Sequence, residues 1–596
     1  MKPKICTLAV CGALSLAYAH AASNYQLQPG DPLVKEQWYL KNTGQTAFSA
    51  RGGKAGNDLN LAFTHLRGIR GVGITVAVID DGLEIAHPDL AANVKPGSKN
   101  FVTGTDDPTP SGNNGHGTAV AGVAAAVGWN NIGGRGVAPS AGLKGYNYLL
   151  NQSQDAFLHS HGKLPNDAPL VSNTDSRVFN QSYGSSLTGG VNADTSVNLS
   201  LRLQEQTYEE VTRFSHWGRG SLFVKSAGNG YNNITVGLTD GNTGYVFNDR
   251  AMPLQDANLE PANNNYWNMV IAALNADGVR SSYSTPGASV LLTGTGGEYG
   301  TDSPAMVTTD LTGCKRGFNV TGATSNSLQG GTALDPNCNF TGQMNGTSAA
   351  APSVSGAVAL VMSTNPALNW RDVRHILIST ARKVDADNAG VSLDVLGKDG
   401  SKTPYVAIPG WQKNAAGYNF HNFYGFGLVD VDRAVEAALF YSNPLPAQIW
   451  TDWNKVSSNA RIPDGKLDGA SSTFELADNM TIEAVQVRVN VAHTRPRDLA
   501  FELISPSGTR SVILSPNNSL LTTRALAEQR MLSNHFYGES GKGKWTLRVI
   551  DTSAAVGGYY LYNAGSGAWS AARINNNATD GTLQSWSIRF IGHKKS

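Results

Sequence analysis

The sequence predicts an α/β domain built on a parallel sheet, followed by a smaller all-β sandwich. Two observations carry the first part. Short apolar β-branched runs alternate with helical ones from about residue 25 to 440, and Ile74–Ile79 is apolar along nearly its whole length, as in a strand covered on both faces. One observation carries the second. Beyond Tyr441-Ser-Asn-Pro-Leu-Pro446 the texture changes to short alternating strands separated by turn signals such as Ser505-Pro506-Ser507-Gly508.

In order, the first domain reads as a strand at Ile74–Ile79 and a small-residue helix at Ala119–Val127. A strand follows at Val178–Ser182, then a helix at Thr195–Trp217 and strands at Ser221–Ser226 and Trp267–Leu274. The last helix read here, Trp370–Thr380, has apolar positions at helical spacing. The sandwich reads as strands Thr481–Val491, Leu499–Ile504, Val512–Leu514, Trp545–Ile550 and Gln584–Ile591. The stretch Asn563–Thr582, rich in Gly, Ala and Asn, reads as a long loop. Before all of this, Lys2 and Lys4 precede an apolar run from Ile5 to about Ala17 and a small-residue site at Ala19-His20-Ala21, the pattern of a secretory signal. The expected domains are thus a signal at 1–21, an α/β domain at 22–442 and a sandwich at 443–596.

Composition narrows the function. With 46 basic and 45 acidic residues the chain has no bulk charge with which to bind nucleic acid or anionic membrane. No segment after the signal is apolar enough to span a bilayer, so no membrane anchor is expected. Removing the signal removes Cys6 and Cys11. The remaining pair, Cys314 and Cys338, most simply forms one disulfide, worth very roughly 3 kcal/mol in the chain-entropy model.

Four motifs carry chemistry. Asn345-Gly346-Thr347-Ser348 delivers a serine to the start of a buried helix, where free N–H groups and the dipole favour developing negative charge. Asp80 ends a buried strand, the edge at which parallel sheets place their sites. His116, in Asn114-Gly115-His116-Gly117-Thr118, opens a helix, and Asn229, in Ser226-Ala227-Gly228-Asn229-Gly230, follows another strand. Each alone has a bland reading as a cap or turn residue. Together, in the order Asp, His, Asn, Ser and each at an element junction, they point to nucleophilic acyl transfer with an oxyanion donor.

These motifs resemble the subtilisin-like serine peptidases, and more narrowly the kexin/furin branch. Asp80-Asp81-Gly82, His116-Gly117-Thr118, Asn369-Trp370-Arg371-Asp372-Val373 and Tyr424-Gly-Phe-Gly-Leu-Val-Asp430 carry the likeness. In the sandwich, His493-Thr-Arg-Pro-Arg-Asp-Leu499 and Gly543-Lys-Trp545 resemble the branch's P-domain. The resemblance implies a subtilisin-like fold with a jelly-roll P-domain, and a secreted endopeptidase acting on protein or peptide substrates. Ser348 would be nucleophile, His116 base, Asp80 its orienting acid and Asn229 the oxyanion donor. Ser182, Tyr183 and Gly184 would bind substrate backbone, and Asp81 would face the second residue before the cut. It also implies a calcium site from Asp31, Asp89, the Asn130 side chain and the carbonyls of Val127, Ile132 and Gly134, oxygen ligands that suit Ca²⁺.

The chain departs from the branch in its first pocket. Ser185-Ser186-Leu187-Thr188 stands where an acidic loop is expected, and Thr285 where the branch carries Glu. Glu260 or Asp256, in an inserted loop, is expected to substitute, giving cleavage after Lys or Arg; the alternatives are a broad-specificity protease and an inactive binding protein. Because Asp31-Pro-Leu and Gln37-Trp-Tyr-Leu40 match the mature start of the branch, no pro-domain is expected, and a separate protein is expected to assist folding or hold the enzyme inactive.

Overall fold

The computed structural model describes residues 27–595 except 249, 556 and 575–578; of 573 and 574 only the backbone is described. The expected signal lies outside the described residues. The first domain is built on a six-stranded parallel sheet. Its strands are β1 (Thr75–Ile79), β2 (Gly142–Tyr146), β3 (Val178–Gln181), β4 (Leu222–Ser226), β7 (Asn268–Leu274) and β8 (Val290–Thr295), in the order β2-β1-β3-β4-β7-β8. Strand β2 escapes the sequence reading because Gly142-Leu-Lys-Gly-Tyr146 lacks β-branched residues. It is nevertheless buried throughout, and Lys144 keeps its ammonium on Asp175 at 2.5 Å.

The helix Thr347–Thr364 crosses this sheet as the centre of the core, with Val354, Ala357, Val358, Leu360, Val361 and Met362 all at 0 % exposure. Its small residues allow close approach. A Cβ on Gly356 would lie 2.6 Å from Val137 Cβ and 3.0 Å from the Ala124 carbonyl. That contact brings the helix His116–Ala125 alongside, so the two helices carrying His116 and Ser348 are packed as one unit.

The C-terminal region is a sandwich of antiparallel sheets. One contains Gln448–Trp450, Gly581–Lys594, Met480–Ala492 and Leu526–Ser533, with Asn454–Ile462 also paired to Gly581–Lys594. The other contains Ala470–Leu476, Gly543–Asp551, Leu499–Ile504 and Arg510–Leu514. Every strand read from the sequence falls within one of these. The stretch read as a loop does not behave as one: Ala568–Ile574 is a strand, paired with Gly557–Asn563. That hairpin leaves the sandwich and pairs with β6 (Thr243–Phe247) of the first domain, which in turn pairs with β5 (Asn233–Gly237). Leu561 packs beside the buried Ile234 and Val246, a long-range contact that composition does not reveal.

The seam between the domains is a shared core. Leu259 and Ala288 pack into the sandwich core, and Leu532 and Tyr537 into that of the α/β domain. A buried ion pair crosses it, Arg371 Nη2 to Glu483 Oε1 at 2.5 Å, with Tyr266 donating to Glu483 at 2.9 Å and His593 at 3.0 Å. Glu483 is held down to about 2: burial alone would raise it, but the hydrogen bonds from His593 and Arg371 outweigh that. The expected disulfide Cys314–Cys338 is present, with Cα atoms 5.0 Å apart.

Candidate active site

Asp80 follows the last residue of β1 and is fully buried. His116 is the first residue of its helix, and its Nδ1 lies 2.8 Å from Asp80 Oδ1. That contact fixes the ring by its Nδ1 side and leaves Nε2 on the opposite edge. Burial works against an imidazolium here, but the charge and hydrogen bond of Asp80, with added charge from Asp81, outweigh it and hold His116 above the usual histidine range. Asp81 caps the same helix: Oδ1 accepts from Gly117 N at 2.8 Å and Oδ2 from His116 N at 3.2 Å. Its own carboxyl is pushed up by burial and then by Asp80.

Ser348 is reached through Gly346, whose φ of +92° suits glycine and whose N–H donates to the Tyr283 hydroxyl at 2.7 Å. Pro352, four residues after Ser348, has no N–H to give the Ser348 carbonyl. The Ser182 hydroxyl fills that place at 2.8 Å, while Ser348 Oγ donates to the Ser182 carbonyl at 3.0 Å. Ser182 is itself held by Asn180 Nδ2 at 2.9 Å. The end of β3 and the serine turn are therefore locked to each other, and Pro352 was the sequence signal for it.

The orientation of Asn229 follows from its neighbours. Its Oδ1 accepts from both the N–H and the hydroxyl of Thr347, each at 2.9 Å. A backbone N–H can only donate, so the carbonyl oxygen faces Thr347 and the NH₂ faces away, available to an oxyanion. Thr347 Oγ1 also accepts from Gly228 N at 3.1 Å. Thr347 is a site residue that the sequence reading passed over.

The remaining expected residues are placed as follows. Tyr183 directs its hydroxyl to His161 at 3.0 Å, and Gly184 is exposed beside it. Thr285 accepts from Gly230 N at 2.9 Å and so supports the Asn229 turn. Of the two proposed substitute acids, Asp256 turns away to Ser515, accepting from its N and Oγ at 3.0 Å, whereas Glu260 lies against Gly184.

The expected calcium ligands are gathered around one loop. Asp31 accepts from Trp129 N and Asn130 N at 3.0 Å each and from Arg135 Nε at 2.7 Å. Asn130 donates to Asp89 Oδ1 at 2.8 Å, and its own Oδ1 accepts from Ile132 N at 3.0 Å. Val127 N donates to the Asp89 carbonyl. Among the described residues Asp89 Oδ2 has no hydrogen-bond partner, and burial, with the charge of Asp31, pushes this carboxyl up to about 8. A buried carboxylate oxygen of this kind suits a hard cation, although the Asn130 group turned to Asp89 is its NH₂ and not its oxygen. Asp31 fits less directly, because Arg135 already neutralises it. Among the described residues no group of three or more His, Cys, Asp or Glu could hold a metal, so a cation here would depend on amide and carbonyl oxygens.

Comparisons with known proteins give the family. Residues 71–427 match the Subtilase family and residues 482–590 the Proprotein convertase P-domain. An extracellular serine protease of Aeromonas sobria is 45 % identical over 597 residues, covering 96 % of this chain and 92 % of that one. A microbial serine proteinase of Aeromonas salmonicida is 40 % identical, covering 93 % and 90 %. The crystal structure of the A. sobria serine protease in complex with the chaperone ORF2 superposes with a TM-score of 0.90 at 44 % identity, covering 96 % of each chain. No helix among the described residues is long and apolar enough to cross a membrane. With a subtilase match over more than half its length, this chain is a serine peptidase of the subtilase family that carries a proprotein convertase P-domain.

Proposed function

We propose that this chain is a secreted serine endopeptidase in which Ser348 attacks the scissile carbonyl and His116 removes its proton. The observation that carries this reading is the paired wiring of the site: His116 Nδ1 on Asp80 at 2.8 Å, and Asn229 turned by Thr347 so that its NH₂ is available. The serine hydroxyl rotates from the Ser182 carbonyl toward Nε2 as substrate binds. Its proton passes to His116, Asp80 stabilises the imidazolium, and Asn229 donates to the oxyanion. His116 then protonates the leaving amine, and a water repeats the sequence on the acyl-enzyme. Substrate backbone pairs along Tyr183 and Gly184 by strand addition.

The preference is for Lys or Arg before the cut. Glu260 supports this from the wall behind Gly184, and Asp81 adds negative charge next to the cleft. Asp89 and the carbonyls of Val127, Ile132 and Gly134 would hold calcium, which would supply a countercharge to the buried carboxylate and so serve stability. Secretion is supported by the N-terminal pattern and by the extracellular relative. A separate folding helper is supported by the relative solved with its chaperone.

The test is twofold. A serine-reactive fluorophosphonate should label the purified chain but not Ser348→Ala, and a peptide library should show cleavage after Lys and Arg. Library cleavage chiefly after large apolar residues would leave a peptidase without the basic preference; absence of labelling would remove the mechanism itself.

A further inference from the structure

Two short segments flank Ser348: Ser182–Ser185 and Ser226–Asn229. Behind both runs the 254–265 loop, and it ties them together. Gln255 Nε2 donates to the Ser185 carbonyl at 3.0 Å, and Asn263 Nδ2 to the Ala227 carbonyl at 3.0 Å and to Glu260 Oε2 at 3.2 Å. Glu260 is set against Gly184, which has no side chain to shield it. A Cβ on Gly184 would lie 2.7 and 3.1 Å from the two Glu260 oxygens and 3.2 Å from Lys225 Nζ. Lys225, with a fully buried side chain, faces Glu260 at 3.4 Å and donates to the carbonyls of Tyr183 and, at 3.0 Å, Ser226. A carboxylate–ammonium pair is expensive to bury. This one sits where the side chain preceding the cut would rest if substrate pairs along Gly184.

The other side of the same loop belongs to the P-domain. Asn258 Nδ2 donates to the carbonyls of Ile513 and Leu532 at 2.8 and 2.9 Å, and its Oδ1 accepts from Leu532 N at 2.8 Å. Asp256 accepts from Ser515, and Arg530 Nε donates to Asn264 Oδ1 at 2.6 Å. Asp256, Asn258 and Asn264 are all buried, and Leu259 is within the sandwich core. The loop that carries Glu260 is therefore held from two sides: its inner face is fixed to the cleft and its outer face to the second domain.

We propose that the P-domain is part of the specificity apparatus: it clamps the 254–265 loop and so positions Glu260, opposed by Lys225, to read the charge of the residue before the cut. This rests on the endopeptidase reading above. It gives the P-domain a role in selectivity beyond its contribution to stability, with Asp256, Asn258 and Arg530 as positioning residues.

The test uses the full chain and two peptides that differ only in Arg or Leu before the cut, reading the ratio of their kcat/KM. Glu260→Gln should lower the Arg/Leu ratio about tenfold or more, and Lys225→Met, which frees Glu260 of its countercharge, should raise it. Arg530→Met, on the P-domain, should lower the ratio several-fold through KM for the Arg peptide, with partial rescue by Arg530→Lys. Ser515→Ala repeats the P-domain test with a milder change should Arg530→Met not fold. The proposal is overturned if Glu260→Gln, or the folded P-domain variants, still react with fluorophosphonate but leave the ratio within twofold of the unaltered chain. It is likewise overturned if the P-domain variants lower only the melting temperature. An unaltered chain that neither labels nor cleaves would instead contradict the endopeptidase reading.

Discussion

The Ser348 centre and the wall behind Gly184 are adjacent, yet they are built on different principles. At the centre, each working residue sits at the end of an element of the parallel sheet or at the start of a helix packed on it. Asp80, His116, Asn229 and Ser348 are placed by local turn geometry plus one rigid core. At the wall, Glu260 is placed by a loop whose outer bonds run to residues some 250 positions later in the chain, Ile513, Ser515 and Leu532. If the two proposals hold, the contrast separates chemistry, placed by the first domain, from selectivity, placed by both domains together.

The sharpest way to break this contrast is at the centre. Ser348→Ala should lower kcat by a factor on the order of 10⁶, measured on a chromogenic peptide, with little change in thermal stability. At the seam the effect should be the reverse. Glu483→Gln leaves Arg371 buried without its carboxylate and should cost about 3–5 kcal/mol in denaturant unfolding, while an enzyme that remains folded keeps its fluorophosphonate reactivity. The same pair sets a pH window. Glu483 is depressed from 4.5 to about 2, so its contribution is complete above about pH 4.5 and is lost as pH falls through 2. Unfolding followed between pH 5 and 2 should show that loss in the unaltered chain and less of it in Glu483→Gln.

Three smaller effects test how the centre is wired. Asn229→Leu should reduce kcat about 10²–10³-fold, the usual consequence of losing one oxyanion donor. Thr347→Val removes only one of the two bonds that orient Asn229 and should reduce kcat about tenfold, near the value of a single hydrogen bond. Smallest is the effect of Asp81→Asn. Asp81 adds charge that raises His116, so the variant should move the acidic limb of the kcat/KM profile to lower pH; a shift to higher pH would contradict the placement of Asp81 beside the base.

The same contrast explains how much the sequence could tell. Strand-end Asp80, helix-start His116 and the Gly346 turn are local patterns, and local patterns survive in a linear reading. Asn229 was legible for the same reason. Thr347 was in plain view, but its role depends on which way an amide points, a matter of three-dimensional partners. Pro352 stands in the sequence as a missing helix N–H that the sequence reading did not use, and only the fold shows that Ser182 answers it. The choice between Asp256 and Glu260 could not be made from composition, since both lie in one loop; packing against the P-domain turns Asp256 to Ser515 and leaves Glu260 as the acid of the two beside Gly184. The hairpin Gly557–Ile574 was hidden for a related reason. Its partner is β6 in the other domain, and Gly557–Asn563 and Ala568–Ile574 carry no regular apolar alternation to announce a pairing across 300 residues.

The most direct test is the chemical identity of the nucleophile. After reaction with a fluorophosphonate, peptide mass spectrometry of the full chain should place the adduct on Ser348, and Asp80→Asn should slow the labelling by a factor on the order of 10⁴. An adduct on another serine, or labelling at an unchanged rate in Asp80→Asn, would contradict the account.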